Sequence, residues 1–411
     1  MASNHLNFLL LTGIGISAIS LAAWVYLTLF RGLFWRTDQR LQLPPAGQLS
    51  HPAWPRVSIL VPARNEAALL PFTLPSLLKQ DYPGEFHIFL VDDSSEDDTG
   101  EIAAQIAAAL GFPERLTVIA GRPKPAEWTG KLWAVEQGFR RADNYESPFL
   151  LFTDADILHP SSGLRALVHK AQAQKLDLVS LMVKLRAQSV WEKLWLAAFV
   201  YFFAKLYPFR RVNDDHNRTA AAAGGVLLLR KEALLDSGGL APLSKALIDD
   251  CALAAQIKRK QKGKTGKIWL GLAPEHESIR AYHGLQGIWS MVSRTAYAQL
   301  NYSVPLLAAT ILGMLLLYLV PPASGISGLL FFSNPTASGG LAACGLAAWL
   351  LMASTFLPLV RWYDGPAYLA LFLPVAGFYY TLMTIDSAIR HWLGRGGGWK
   401  GRFHQERTAS P

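Results

Sequence analysis

The sequence predicts an α/β protein, with a mostly parallel sheet covered on both faces by helices and apolar helices long enough to cross a membrane on either side of it. This rests on three features. Of 411 residues, 51% are hydrophobic and only 17% are charged, where about 25% charged is usual for a soluble domain. The charge-free residues collect in two blocks, one towards each end of the chain. Between the blocks, short apolar runs alternate with helical patterns, as in β/α units. A disordered chain is excluded and an ordinary cytosolic enzyme is disfavoured. Two cysteines, Cys251 and Cys344, cannot build a disulfide framework, and no Cys/His spacing suggests zinc. The net charge of +9 suits anionic lipid headgroups in a chain this apolar, so no nucleic-acid partner is expected.

The first element is an anchor. Met1–Phe30 contains no Asp, Glu, Lys or Arg, and Phe8–Phe30 is long enough to span a bilayer. A cleaved signal peptide would carry a positive residue before a shorter apolar core. Here Arg31, Arg36 and Arg40 come afterwards, which favours an uncleaved anchor with its C-terminal end in the cytoplasm. Pro44, Pro45, Pro52 and Pro55 then mark a linker.

Next comes the alternating region. Val57–Val61, Phe86–Val91, Leu116–Ile119, Phe149–Thr153 and Leu178–Leu181 read as strands, and Ala67–Lys79, Thr99–Leu110, Lys131–Arg141 and Gly163–Ala173 as the helices between them. In such sheets ligands bind beyond the carboxyl ends of the strands. Every polar motif of interest falls at such an end.

Val57-Ser-Ile-Leu-Val-Pro-Ala-Arg-Asn-Glu66 runs a buried strand into Pro62, Arg64, Asn65 and Glu66; a strand end with a helix cap explains it alone. Val91-Asp-Asp-Ser-Ser-Glu-Asp-Asp-Thr99 places Asp92 and Asp93 at a strand end, where a carboxylate can accept from the N–H edge of a base, while Asp97 and Asp98 suit capping. In Phe149-Leu-Leu-Phe-Thr-Asp-Ala-Asp156 a wholly apolar strand delivers Asp154 and Asp156 at alternate positions. Like charges so close repel without a cation, and hard oxygen ligands suit Mg²⁺ or Mn²⁺, which a nucleotide diphosphate can bridge. His159 fits a loop or cap better than a ligand. In Glu127-Trp-Thr-Gly-Lys131, Lys131 opens a helix against the macrodipole preference, which hints at an anionic ligand. In Ile248-Asp249-Asp250, before an expected helix Cys251–Lys262, capping explains Asp249; Asp250, beside another acid, suits a general base.

This ordered series resembles the inverting GT-A glycosyltransferases of family 2. Trp128-Thr-Gly-Lys-Leu-Trp133, Asp154-Ala-Asp-Ile157 and Ser293-Arg-Thr-Ala-Tyr297 resemble more narrowly the hopene-associated membrane glycosyltransferases, with ceramide glucosyltransferase a more distant relative. The resemblance implies a Rossmann-like GT-A domain and transfer from a nucleotide sugar, expected to be a UDP-sugar, to a lipid acceptor. It implies that Pro62, Arg64 and Glu66 line the nucleotide pocket and that Asp93, with Asp92 beside it, holds the uracil. Asp156 would ligate the metal, Asp154 would face the sugar or nucleotide, and Asp250 would take the acceptor's proton. Lys131 joins the donor-binding set. Many membrane-bound relatives end the domain with Gln-x-x-Arg-Trp. Here Arg294 is present to touch the diphosphate, but Thr295 replaces the tryptophan.

The remaining elements are apolar. Val190–Phe209 carries aromatic residues at helical spacing, with Glu192, Lys193 and Lys205 among them; an interfacial membrane helix is preferred over a core helix. Thr295–Val360 and Gly365–Ile385 hold no Asp, Glu, Lys or Arg. Spans are expected near Ser303–Val320, Leu341–Val360 and Pro366–Ile385, with Ile326–Phe332 too short to cross and read as re-entrant or interfacial. Three such spans would carry the tail from Arg390 outside, yet its five Lys/Arg against one acid favour the cytoplasm, so its side stays open. The expected organisation is an anchor over 1–35, a linker over 36–56, the GT-A domain over 57–301 with its interfacial helix at about 190–209, a C-terminal transmembrane region over 302–389 and a basic tail over 390–411. This describes a multi-pass inner-membrane enzyme with a cytoplasmic catalytic domain. A processive polysaccharide synthase would need the missing Gln-x-x-Arg-Trp and usually more spans. A non-catalytic scaffold or transporter would have no need of Asp154, Asp156 and Asp250 together, and intramembrane charges are absent.

Overall fold

The computed structural model describes residues 2–42, 54–261, 264–282, 284–330 and 335–395. Pro44, Pro45 and Pro52 of the linker and most of the basic tail lie outside the described residues. Two compact units result. One comprises Asp38–Arg186 and Phe209–Ala281; the other comprises Met1–Thr37, Ala187–Pro208 and Tyr282–Gly396.

Among the described residues the first unit has ten strands: β1 Val57–Ala63, β2 Phe86–Asp92, β3 Leu116–Ala120, β4 Phe149–Thr153, β5 Ile157–Leu158, β6 Leu178–Leu185, β7 Val226–Arg230, β8 Lys260–Gln261, β9 Lys264–Thr265 and β10 Ile268–Ser278. Eight form one sheet in the order β3-β2-β1-β4-β7-β6-β10-β5, and β8 pairs with β9 separately. The pairs β1–β2, β1–β4, β2–β3 and β6–β10 are parallel; β7 runs antiparallel to β4 and β6, and β5 antiparallel to β10. The sheet is therefore mostly parallel, as the alternation predicts. Every residue of β1 is buried, because helices cover both faces and each side chain meets a core. Ile59, Ile88, Val179 and Leu228 share that core, each contributing about 1.5–3 kcal/mol through burial.

Two helices of this unit depart from expectation by more than one residue at an end. The first begins at Leu70 rather than Ala67, since Pro71 takes an opening position where its missing N–H costs nothing. The helix expected over Cys251–Lys262 spans Asp249–Lys258 instead. It stops there because Arg259 turns extended and the chain enters the β8–β9 hairpin.

The second unit is helical. Among the described residues four helices are long and apolar enough to cross a membrane: Leu10–Phe30, Val304–Leu330, Pro335–Trp362 and Ala367–Trp392. The separate piece expected at Ile326–Phe332 is absent as such; its described part continues the helix from Val304 to Leu330 through a π-helical turn at Leu315–Leu319. That turn precedes Pro321 and Pro322, which have no N–H to return to the preceding carbonyls. Ser20 Oγ and Trp24 Nε1 donate instead to the carbonyls of Leu316 and Leu317, each at 2.8 Å, so the prolines leave no orphaned acceptor in an apolar setting. A Cβ on Gly345 would collide with the Gly325 nitrogen. Only glycine permits that backbone approach.

Val190–Leu206 belongs to this unit, opened by a capping box between Ser189 and Glu192. Part of its aromatic stripe is spent on helix packing. Leu194, Trp195, Ala198 and Tyr201 are buried, Tyr201 Oη is 2.7 Å from Thr355 Oγ1, and Tyr380 Oη donates to the Trp195 carbonyl. Trp191 and Leu206 remain exposed. Residues 187–208 and 282–301 thus pack with the apolar helices, although the sequence grouped them with the domain over 57–301.

Candidate active site

Chain order reverses at β1, with β2 and β3 on one side and β4 on the other. Such a switch point opens a crevice beyond the carboxyl ends of the strands. Pro62 is the penultimate residue of β1, shortly before Arg64 and Glu66, Asp92 ends β2, and Asp154 follows β4. Arg64 laces two of these ends together, donating from Nη1 to the carbonyls of Asp93 and Ser94, each at 2.6 Å. Asn65 adopts φ 52° and its Oδ1 accepts from the Glu96 N–H at 2.8 Å, a conformation and a local bond that suit asparagine. Asp92 Oδ1 accepts from the Ser95 N–H, while Asp93 is fully buried.

The cleft itself is lined by Pro62, Lys131, Asp154, Gly224, Asp249 and Asp250 over an apolar floor. Lys131 Nζ stands 2.7 Å from Asp154 Oδ1. Burial pulls the lysine's pKa down, but Asp154, Asp249 and Asp250 together raise it above the ordinary lysine range. Asp154 is raised, by burial first and by the charge of Asp156, against the pull of Lys131. Burial, then the charge of Asp249, pushes Asp250 up to about 6, opposed by the Cys251 N–H, Lys131 and the Gly224 N–H. A Cβ on Gly224 would lie 3.2 Å from Asp250 Oδ2 and 3.4 Å from Lys131 Nζ, so glycine keeps this approach open. The capping role expected of Asp249 is corrected: the helix opens on Asp249 itself, its cap position is Ile248, and Asp249 lines the cleft.

Asp156 is buried on the same side of the sheet end, with two donors on one oxygen. Ser278 Oγ and Arg280 Nε both reach Oδ2 at 2.9 Å, and Arg280 Nη2 reaches Glu66 Oε1 at 2.6 Å. The antiparallel pairing of Ser278 with Ile157 brings β10 to this carboxylate. His159 is buried, its Nε2 2.9 Å from Thr153 Oγ1. Sequence reasoning missed Arg280, whose partners lie 124 and 214 residues away; no local pattern marks it. It also missed Gly224, for which the pair Gly224-Gly225 before an apolar run was the available signal. Arg294 lies in the other unit, exposed just past the helix Gly284–Ser293.

Asp154 and Asp156 supply hard oxygen donors of the kind Mg²⁺ or Mn²⁺ prefers. Among the described residues no three His, Cys, Asp or Glu side chains converge on one point. The chain thus offers two carboxylates, and the rest of a coordination shell would fall to other oxygen donors. On that chemistry the residues fit a divalent ion held jointly with a substrate.

Residues 58–238 match the family model described as glycosyl transferase family 2. That match covers less than half of the chain. This chain is 32% identical over 120 residues to 4,4'-diaponeurosporenoate glycosyltransferase of Staphylococcus haemolyticus (strain JCSC1435), covering 29% of each protein. It is 31% identical over 143 residues to undecaprenyl-phosphate 4-deoxy-4-formamido-L-arabinose transferase of Pseudomonas savastanoi pv. phaseolicola, covering 33% of this chain and 38% of that one. The chain thus spans about a third of the length of these curated relatives. The solved mannosyltransferase PcManGT from Pyrobaculum calidifontis, in complex with GDP-Man and Mn²⁺, has the same fold at a TM-score of 0.50 and 20% identity, over 92% of this chain and 99% of that one. The first unit accordingly has the GT-A fold, with the cleft of Lys131 and Asp250 at its carboxyl edge.

Proposed function

We propose that the protein transfers a sugar from a nucleotide-diphosphate sugar, a UDP-sugar in the first instance, to a lipid acceptor with inversion at the anomeric carbon. The observation that carries this reading is the cleft in which Lys131 meets Asp154 beside Asp250, whose pKa of about 6 suits a base. A base poised near the working pH is mostly ionised yet still attracts a proton. Asp250 takes the acceptor's hydroxyl proton as that oxygen attacks the anomeric carbon and the bond to the diphosphate breaks. Asp249 keeps Asp250 basic through its charge, and Lys131 supplies a fixed positive group near the leaving diphosphate. Asp156 and Asp154 would hold a divalent ion, which would supply positive charge to offset the negative charge developing on the leaving group. Pro62, Arg64, Glu66, Asp92 and Asp93 are assigned to the nucleotide side of the crevice, and Arg294 to the diphosphate.

The lipid acceptor draws support from the four apolar helices and from the relative named for undecaprenyl phosphate. The resemblance to hopene-associated enzymes makes a hopanoid the first acceptor to test. We place the protein in the inner membrane with the catalytic unit in the cytoplasm, following Arg31, Arg36 and Arg40. The deciding experiment incubates purified protein with a panel of nucleotide sugars and lipid extract, followed by mass spectrometry. A lipid heavier by one sugar is expected. A panel that yields no glycosylated lipid, with donor binding intact, would remove the acceptor assignment.

A further inference from the structure

We infer that Arg280 is a built-in cation that holds Asp156 when no divalent ion is present, and that a metal enters this site by displacing the guanidinium from that carboxylate. The inference rests on the reading of Asp156 as a metal ligand. Its basis is geometric. Arg280 forks between two acids, with Nε 2.9 Å from Asp156 Oδ2 and Nη2 2.6 Å from Glu66 Oε1. The carboxylate side chains are only 9% and 6% exposed, whereas that of Arg280 is 33% exposed. The cation therefore covers the acids from the solvent side. Two buried carboxylates need a positive partner, and leaving either without one is costly.

Neighbouring contacts hold the backbone before the arginine against Asp156. The Ile279 N–H donates to the Asp156 carbonyl at 3.0 Å, and Ser278 Oγ shares Oδ2 with the guanidinium. Both donors crowd Oδ2, so a metal that takes this oxygen must displace one of them. A serine hydroxyl is neutral and rotates away freely; the guanidinium carries a full charge that repels a divalent ion at close range. Arg280 is thus the competitor, and its partial exposure lets it swing outward.

The test is binding of Mn²⁺ alone to the full-length protein in detergent, followed by the electron paramagnetic resonance signal of free Mn²⁺ without nucleotide. Arg280→Gln should tighten Mn²⁺ by about tenfold, the scale of an ion pair at this degree of exposure. The gain should vanish in the Arg280→Gln, Asp156→Asn double variant. Arg280→Lys keeps the charge but cannot hold both acids; it should show a smaller gain in the same direction, and it is the variant to read if the Gln protein unfolds. Unchanged or weaker Mn²⁺ binding in both variants overturns the inference. So does a gain that survives Asp156→Asn, or the absence of Mn²⁺ binding in every form. A protein that transfers no sugar yet shows the Asp156-dependent gain would keep this inference while losing the proposed activity.

Discussion

Lys131 Nζ and Asp154 Oδ1, 2.7 Å apart, tie the first turn of one helix to the carboxyl end of β4. A lysine is unfavourable at a helix N-terminus, and here Asp154, Asp249 and Asp250 compensate for it. The same lysine holds Asp250 lower than burial and Asp249 alone would leave it. The base must be ionised, so kcat/KM should rise with pH through about 6 and level off above. Removing the lysine charge raises the pKa of Asp250, so Lys131→Met should move this acidic limb to higher pH. A pH–rate profile of both proteins reads it; an unmoved limb would detach Asp250 from the rate.

The proposed metal role of the paired carboxylates at the end of β4 is tested by chelation. EDTA should abolish transfer, and Mn²⁺ or Mg²⁺ should restore it. Full activity in chelator, together with an active Asp156→Ala, would remove the metal role.

Gly224 gives a steric test of the same cleft. A Cβ there would sit 3.2 Å from Asp250 Oδ2, so the carboxylate must shift by a few tenths of an ångström. Small displacements of a reacting group are expensive in rate. Gly224→Ala should lower kcat by about ten- to a hundredfold, with the thermal unfolding midpoint nearly unchanged. A fully active Gly224→Ala would mean that Asp250 does not work from this position.

How much of this was legible depends on how local each signal is. The strand Phe149–Thr153 and the helix Gly163–Ala173 have the expected bounds, because one is an unbroken apolar run and the other a clear amphipathic repeat. The strand Ile268–Ser278 escaped notice, since Pro274, Glu275 and Glu277 interrupt its pattern and its register shifts between Ala273 and Glu277. The insertion of β7 antiparallel between β4 and β6 is a tertiary choice with no one-dimensional mark. Asp154, Asp156 and Asp250 were visible because acids after apolar strands or before helices stand out. Arg280 joins Glu66 and Asp156 only through the fold, and a lone arginine after a strand carries no motif.

Topology is tested by labelling. Arg31, Arg36 and Arg40 follow the first apolar helix, so the segment 44–55 should face the cytoplasm. A cysteine introduced there should resist an impermeant maleimide in intact cells and react after permeabilisation. Reaction in intact cells would invert the assignment.

The Asp250 carboxylate is the group on which the proposed chemistry depends most. A general base acts chiefly in the transition state, so its loss should lower kcat and leave donor affinity nearly intact. General-base catalysis typically contributes roughly 10²–10⁴-fold, and Asp250→Asn should fall within that range. Asn keeps an oxygen that can accept from the Cys251 N–H, a bond Asp250 makes at 2.7 Å, so the local fold should survive. Asp249→Asn should cost less, because the charge of Asp249 tunes Asp250 rather than taking the proton. It should also lower the pKa of Asp250 and shift the acidic limb to lower pH. Measuring nucleotide-sugar binding and turnover in both variants separates the outcomes. If Asp249→Asn is dead and Asp250→Asn near normal, the base is the neighbouring residue. If Asp250→Asn loses donor binding while turnover at saturation is unchanged, Asp250 holds substrate rather than a proton.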